Sequence, residues 1–354
     1  MITELPHHHD ADDDLPCLSL RLPAAANPTL DPPPHGPRNE ALLALEEVLP
    51  AAVHPRAAVA QAADELTPLH GAEVVELDMS KPFTAARARN AGFARLRELA
   101  PQVDFVQFVD GDCEVREGWL PAGADALSAD PTVAVVCGRL RERFPERSIY
   151  NRMCDIGWDY PIGEIASCGG VAMYCSNRYA AAGGFNETLI AGEEFELCSR
   201  LRMANGRVIR IDEEMAWHDV GITRFSQWWR RAVRSGFSYA EGWALHARDV
   251  GHGHRRSAIR SVLWGIVLPA GVALGALGAF LMRPLGLIAV AVVVLYLVQL
   301  LRLTAAQRKR GRSPREAAGF GLFLVLAKLP EGQGACRYWL ARVFHRRVRV
   351  IEYR

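Results

Sequence analysis

Two carboxylates separated by one glycine, Asp110-Gly111-Asp112, close a short apolar run. Val103, Phe105, Val106, Phe108 and Val109 make that run a predicted strand. On an extended backbone, residues two apart face the same way, so both carboxylates can address one ligand. Gly111 lets the main chain approach that ligand closely. Hard oxygen donors of this kind suit Mg2+ or Mn2+ carrying a diphosphate, because such an ion takes one or two carboxylates together with substrate oxygens. The competing reading is a strand ending in a polar turn, where Asp-Gly is common. Upstream, Arg87, Arg89 and Asn90 sit early in a predicted helix, where backbone N–H groups and cations favour phosphate. Downstream, Glu193, Glu194 and Glu196 open another helix, a position where acidic residues complement the helix dipole. His218 follows a strand end, where a lone histidine is ordinarily a structural hydrogen-bonder.

The elements that must position these residues read clearly from Ala72 onward. Residues 73–77 form a strand, Lys81-Pro82 a turn, and Thr84 to Leu99 a helix packing through Ala85, Ala88, Ala91 and Phe93. The strand ending at Asp110 follows at once. Strand, helix, strand with ligand residues at the carboxyl ends of strands is the usual layout of an open α/β sheet. A helix over 121–128 and a strand over 133–137 come next, then a basic connector from Arg139 to Arg147. Gly169-Gly170 lead into a strand through Tyr174, Gly183-Gly184-Phe185-Asn186 form a turn, and 208–211 is a further strand.

Residues 1–38 read as a poorly ordered leader, with His7-His8-His9 and the following aspartates as a solvated tail. No positive region precedes an apolar core there, so it is no secretory signal. Leu18, Leu20 and Leu22 alternate as in a short strand. Residues 39–71 form a divergent helical segment, with helices over 39–49 and 57–66.

The chain has 354 residues, room for one large domain with an appendage or for two domains. A formal net charge of +1 argues against a nucleic-acid partner. Eight scattered cysteines without a C-x-x-C pair suit a reduced cytoplasmic setting. Apolar content concentrates near the C-terminus. Ser261 to Met282 and Pro284 to Leu301 carry no charge, and each approaches the ~20 residues that cross a bilayer. Arg255, Arg256 and Arg260 precede the pair, Arg302 through Arg315 follow it, and only Arg283 lies between, so both ends of a hairpin over 258–303 belong in the cytoplasm. Pro269, Gly271, Gly275 and Gly278 permit close helix packing in lipid. Residues 304–354 are expected as a basic cytoplasmic tail, including Arg337, Arg342, Arg346, Arg347 and Arg349, with an interfacial helix over 317–327.

The order of motifs carries more than any one of them. Ala88-Arg89-Asn90-Ala91-Gly92, Asp110-Gly111-Asp112 with Trp119-Leu120, Gly183-Gly184-Phe185, Gly192-Glu193-Glu194 with Leu197 and Arg200-Leu201, and then His218 form a series. Over about residues 72 to 245, this series resembles the inverting family-2 glycosyltransferases of the GT-A fold. The resemblance implies an α/β class: a GT-A-like open mixed sheet flanked by helices over 72–250, followed by the C-terminal transmembrane hairpin. It implies a nucleotide-diphosphate-sugar donor, Mg2+ or Mn2+, and a hydroxyl acceptor that is a glycan or lipid-linked. On that basis Asp110 faces the nucleotide and ribose, Asp112 and His218 hold the metal, and Arg87, Arg89 and Asn90 lie on the donor side. Glu194 is the base, with Glu193 beside it, where the family more often has a Glu-Asp pair. Gly169 and Gly170 lie on the acceptor side. Gln227-Trp228-Trp229-Arg230-Arg231 partly resembles the Q-x-x-R-W motif of processive polysaccharide synthases, which puts Trp228 and Arg230 on the acceptor side, with Arg231 where their tryptophan stands. The competing reading, and the stronger one, places the two tryptophans at the membrane interface or in a core.

An acceptor hydroxyl must lose its proton as it attacks the anomeric carbon, which calls for a carboxylate within reach. The departing diphosphate gathers charge that a metal and cations stabilise. The expected protein is thus a multi-pass inner-membrane glycosyltransferase with its catalytic domain on the cytoplasmic face. Two alternatives stand beside it. Residues 1–71 carry no V-D-x-x-S-x-D-like segment for the nucleobase, so a degenerate, non-catalytic relative is one. A metal-dependent nucleotidyltransferase is the other, though it has no use for a base at Glu194.

Overall fold

The computed structural model describes residues 2–4, 17–21, 72–78, 80–245 and 253–345. The expected helices over 39–49 and 57–66 lie outside the described residues. The strands are β1 (Ile2–Glu4), β2 (Cys17–Arg21), β3 (Ala72–Glu76), β4 (Phe105–Val109), β5 (Cys113–Val115), β6 (Val133–Glu142), β7 (Gly163–Glu164), β8 (Ala172–Cys175) and β9 (Arg207–His218). The α-helices are α1 (Ala85–Leu99), α2 (Trp119–Ala129), α3 (Ile149–Gly157), α4 (Ser176–Ala181), α5 (Glu193–Met203) and α6 (Phe225–Leu245). They continue with α7 (Gly253–Val262), α8 (Leu268–Gly278), α9 (Gly286–Lys309), α10 (Pro314–Leu326) and α11 (Lys328–Val343). The chain divides into two compact units, one made of Met1–Arg143, Trp158–Thr188 and Glu193–Val220, the other of Phe144–Gly157, Leu189–Gly192 and Gly221–Arg354.

The first unit is a mixed α/β sheet with helices packed on it. Its strand order among the described residues is β3-β2-β1-β4-β8-β6-β9-β5, with β7 on β9. β4 runs parallel to β1 and antiparallel to β8, while β6 runs parallel to β9. Four of the five residues of β4 are buried, which is why this short run lacks an alternating pattern. Helix α1 starts where Thr84 accepts a hydrogen bond from Arg87 N at 3.1 Å, a cap worth about 1 kcal/mol. Its buried face, Ala86, Ala88, Phe93 and Leu96, packs on the sheet. Phe108, Tyr174, Tyr179 and Phe185 interlock beside it, with ring centroids 5.1 to 6.0 Å apart. Gln107, buried on the opposite face of β4, accepts from Trp119 Nε1 at 2.8 Å and so orients α2.

Two strands run longer than their sequence suggests. β6 continues through Glu142, into the expected connector, because Arg139, Leu140, Arg141 and Glu142 pair in register with Glu214, Ala216, Trp217 and His218 of β9. A bulge near Gly138 allows this, and a Cβ there would strike the Glu213 carbonyl at 2.5 Å. β9 therefore reaches His218 instead of stopping near 211. Helix α3, just past the basic stretch, is not foreseen from the sequence, and neither is β1.

The second unit is helical. Helices α6 and α11 meet backbone to backbone: a Cβ at Gly236 would run into the Glu331 carbonyl, and one at Gly334 into that of Val233. Phe237 and Ala240 pack against Ala335 and Tyr338, so a stretch expected as basic tail contributes a buried face. Among the described residues, two helices are long and apolar enough to cross a membrane, Gly253–Gly278 of 26 residues and Arg283–Lys309 of 27. The first ends at Gly278, four residues before the charge-free stretch does, and Leu281 N and Met282 N close the turn on Gly278 O. A π-helical segment, Leu263–Val267, precedes Pro269, which has no N–H to give and crowds the preceding turn. The stretch 317–327, expected as an interfacial helix, lies almost wholly in helix α10, which a capping box between Ser313 and Glu316 begins.

Candidate active site

Three chain segments meet at the guanidinium of Arg89. It projects from α1 and is 4 % exposed. Its Nη2 lies 2.6 Å from Asp110 Oδ1, and its Nη1 lies 2.9 Å from Glu193 Oε1 and 3.2 Å from Glu194 Oε1. Thus the carboxyl end of β4 and the first turn of α5 are joined through one side chain from α1. With every carboxyl ionised the four groups sum to two negative charges, and Arg89 is a clamp on carboxylates. Its Cζ also lies 5.5 Å from the Phe185 ring centroid.

This crowding acts on Glu194. Burial pushes its carboxyl up to about 7, the neighbouring Glu193 adds to the rise, and Arg89 partly offsets it. A carboxyl of that strength exchanges protons near neutrality.

The Asp110-Gly111-Asp112 triplet is a reverse turn, closed by Cys113 N donating to Asp110 O at 2.9 Å. The extended arrangement expected from the sequence gives way to it, so the two carboxylates have separate partners. Asp110 faces Arg89, whereas Asp112 Oδ2 lies 3.0 Å from His218 Nε2. The pairing of β5 with β9 sets Cys113 opposite His218, and that register brings His218 to the turn. Asp112, Cys113 and His218 each place one ligand atom within 4.8 Å of the others. Trp158 stacks on the His218 ring at 4.9 Å and 9°, fixing its plane, and Nδ1 of His218 is buried with no hydrogen-bond partner among the described residues. Two ligands ~2.1 Å from an ion on adjacent octahedral positions lie about 3 Å apart, so the Asp112–His218 separation fits joint coordination.

Other expected residues fall elsewhere. Gly170 lies against the cluster: a Cβ there would stand 2.6 Å from Asp110 Oδ2 and 2.9 Å from Arg89 Nη2, while Gly169 has open space. Asn90 is a bracket. Its Oδ1 accepts from Tyr179 OH at 2.6 Å and Phe185 N at 2.9 Å, and its Nδ2 donates to Phe185 O. The left-handed Gly184 gives it room, since a Cβ there would meet Asn90 Oδ1 at 2.6 Å. Arg87 donates to the carbonyls of Asp78, Lys81 and Pro82 and caps the preceding loop. Trp228 and Arg230 belong to α6 in the helical unit. Trp228 is buried among Tyr150 and Phe323, and Arg230 Nε donates to Ser226 O in its own turn. Sequence reasoning passed over Trp158 and Cys113. The first sits beyond an unforeseen helix, though the second directly follows the acidic triplet.

No family model matches the chain. A stretch of 166 residues is 31 % identical to a pre-mycofactocin glycosyltransferase of Mycobacterium tuberculosis strain CDC 1551 / Oshkosh, and equally to that of strain ATCC 25618 / H37Rv. The match takes in 44 % of this chain and 34 % of each relative, so the chain spans about a third of the length of the curated relatives it matches. Among solved structures, mannosyltransferase PcManGT from Pyrobaculum calidifontis in complex with GDP-Man and Mn2+ aligns with a TM-score of 0.48 at 17 % identity, over 80 % of this chain and 74 % of that one. S. aureus TarS 1-349 aligns with a TM-score of 0.30 at 14 % identity, over 68 % and 69 % of the two chains. Over 44 % of its length, then, this chain is a relative of a pre-mycofactocin glycosyltransferase.

Proposed function

We propose that this chain is a glycosyltransferase of the inverting family-2 type, transferring a sugar from a nucleotide-diphosphate-sugar to a hydroxyl of a glycan or lipid-linked acceptor. The observation that carries the reading is the Arg89 clamp, which gathers Asp110, Glu193 and Glu194 from distant parts of the chain. The similarity to a named glycosyltransferase supports it.

Glu194 takes the proton from the acceptor hydroxyl, since a carboxyl near 7 is a competent base at neutral pH and Arg89 holds it in place. Glu193, nearly buried, shares the clamp and orients its neighbour. Asp110, fixed by Arg89, presents its remaining oxygen toward the nucleoside end of the donor. Attack from the face opposite the diphosphate inverts the anomeric centre. Asp112 and His218 hold a divalent ion, with Cys113 adjacent; the imidazole weighs toward Mn2+ over Mg2+, which prefers oxygen throughout. When bound, such an ion offsets the charge that gathers on the departing diphosphate.

The two apolar helices anchor the chain in the inner membrane as a hairpin, with the sheet unit on the cytoplasmic side. A screen of nucleotide-sugars for metal-dependent release of nucleoside diphosphate tests the activity. Release with one donor, lost in Glu194→Gln, is the expected result. No release with any donor, while a glycan still binds, would instead make the chain a degenerate binding relative.

A further inference from the structure

A second charged cluster lies in the sheet unit, apart from Arg89. Nη1 of Arg139 on β6 is 2.5 Å from Oδ1 of Asp159, and Nη2 of Arg210 on β9 is 3.7 Å from that same oxygen. Arg210 is 4 % exposed. Its Nε has no hydrogen-bond partner among the described residues, and 3.7 Å is too long for a hydrogen bond from its Nη2. A guanidinium cannot shed its proton inside a protein, so burial with so little compensation calls for a further anion.

The cluster is open on one side and tied to the candidate site. Asp159 is 29 % exposed, and it follows Trp158, the residue stacked on His218. Tyr160 and Ile162, in the same loop, are both more than half exposed. Burial and the neighbouring Cys168 hold the Cys137 thiol well above its usual range, and Arg210, close by, partly offsets them. Cys168 leads directly into Gly169-Gly170, the loop whose second glycine abuts Asp110 and Arg89.

We propose that Arg139 and Arg210 form a receptor for an oxyanion, phosphate or carboxylate, carried by the acceptor, which displaces the Asp159 carboxylate from between them. Paired guanidinium groups match such an anion in geometry as well as charge. The word acceptor rests on the glycosyltransferase reading; the anion site does not.

The test uses the full chain in detergent with EDTA present and inorganic phosphate as probe, followed by calorimetry. The wild type should bind one phosphate. Arg210→Met and Arg139→Gln should each weaken it tenfold or more. Asp159→Asn should tighten it severalfold, because a competing internal anion has gone, and this variant keeps both arginines should Arg210→Met fail to fold. Unchanged affinity in Arg210→Met, weaker affinity in Asp159→Asn, or no saturation in either the wild type or Asp159→Asn overturns the site. A second titration in EDTA-free buffer, with a nucleoside diphosphate and Mn2+ added, separates the two sources of the oxyanion. Undisturbed phosphate binding assigns the site to the acceptor. Competition that disappears in Asp112→Asn hands it to the donor and overturns the acceptor assignment. Phosphate binding in this pattern supports the site even where no sugar is transferred, so the two readings fail separately.

Discussion

His218 Nε2 and Asp112 Oδ2 stand 3.0 Å apart because β5 pairs with β9 one residue past the Asp-Gly-Asp turn. That register gives the metal reading a direct test. Mn2+ binding, followed by electron paramagnetic resonance, should weaken at least tenfold in both Asp112→Asn and His218→Gln. EDTA should abolish nucleotide-sugar binding, and added Mn2+ should restore it. Trp158→Leu, which removes the stacked ring that fixes the imidazole, should weaken Mn2+ by less than loss of a ligand does. Equal Mn2+ affinity in the wild type and His218→Gln would leave the pair as a hydrogen bond only.

Gly170 and Gly169 make a matched pair of probes. Alanine at Gly170 would push against Asp110 Oδ2 and Arg89 Nη2, the mobile ends of side chains, so folding should lose little, on the order of 1 kcal/mol. The Arg89–Asp110 contact at 2.6 Å should be broken, and transfer should fall at least tenfold, mainly through donor KM. Gly169→Ala, with nothing within 4 Å, should behave as the wild type. Similar activity in the two variants would detach the glycine pair from the site.

The hairpin is tested by its charge pattern. A reporter fused after Arg354 should report a cytoplasmic location, and one inserted beside Arg283 an external one. Extraction of the intact protein by carbonate would show that neither apolar helix spans the bilayer.

What could be read from the chain differs between these features for physical reasons. The strand before Asp110, helix α1 and the acidic start of α5 announce themselves through local signals: an apolar run, a Thr84 cap, three carboxylates in one turn. The apolar helices are equally plain, because composition as well as pattern marks them. The extensions of β6 and β9 were hidden, since Arg139, Arg141 and Glu214 look like connector residues until their strands are paired. Pairing is a long-range fact. So is the clamp: nothing near Arg89 in sequence says that its partners lie 21, 104 and 105 residues away. The buried Arg210 gave no sign for the same reason, as Asp159 reaches it from a different loop.

Glu194 combines the last two predictions that the geometry makes, one on rate and one on stability, and they have opposite signs. Its folded carboxyl is pushed to about 7 by burial and by Glu193, against a value of 4.5 in the open chain. As the base it must be ionised, so kcat/KM should rise with pH through about 7 and level off above it. Glu194→Gln should lower transfer roughly 10²-fold or more and flatten that rise, with donor and Mn2+ binding retained. Folding responds the other way. Between pH 4.5 and 7 the folded protein holds a proton that the unfolded chain has released, so stability from this group falls as pH rises and stays low above 7. Glutamine removes that cost. Chemical denaturation at pH 8 should therefore show Glu194→Gln more stable than the wild type, by of order 1–3 kcal/mol, with the difference vanishing near pH 4. Glu193→Gln should leave the pH rise in place but move it to lower pH, because one of the charges raising Glu194 has gone. A Glu194→Gln variant that loses both activity and stability at pH 8 would mean that the carboxylate serves Arg89 and the fold, and that the proton goes elsewhere.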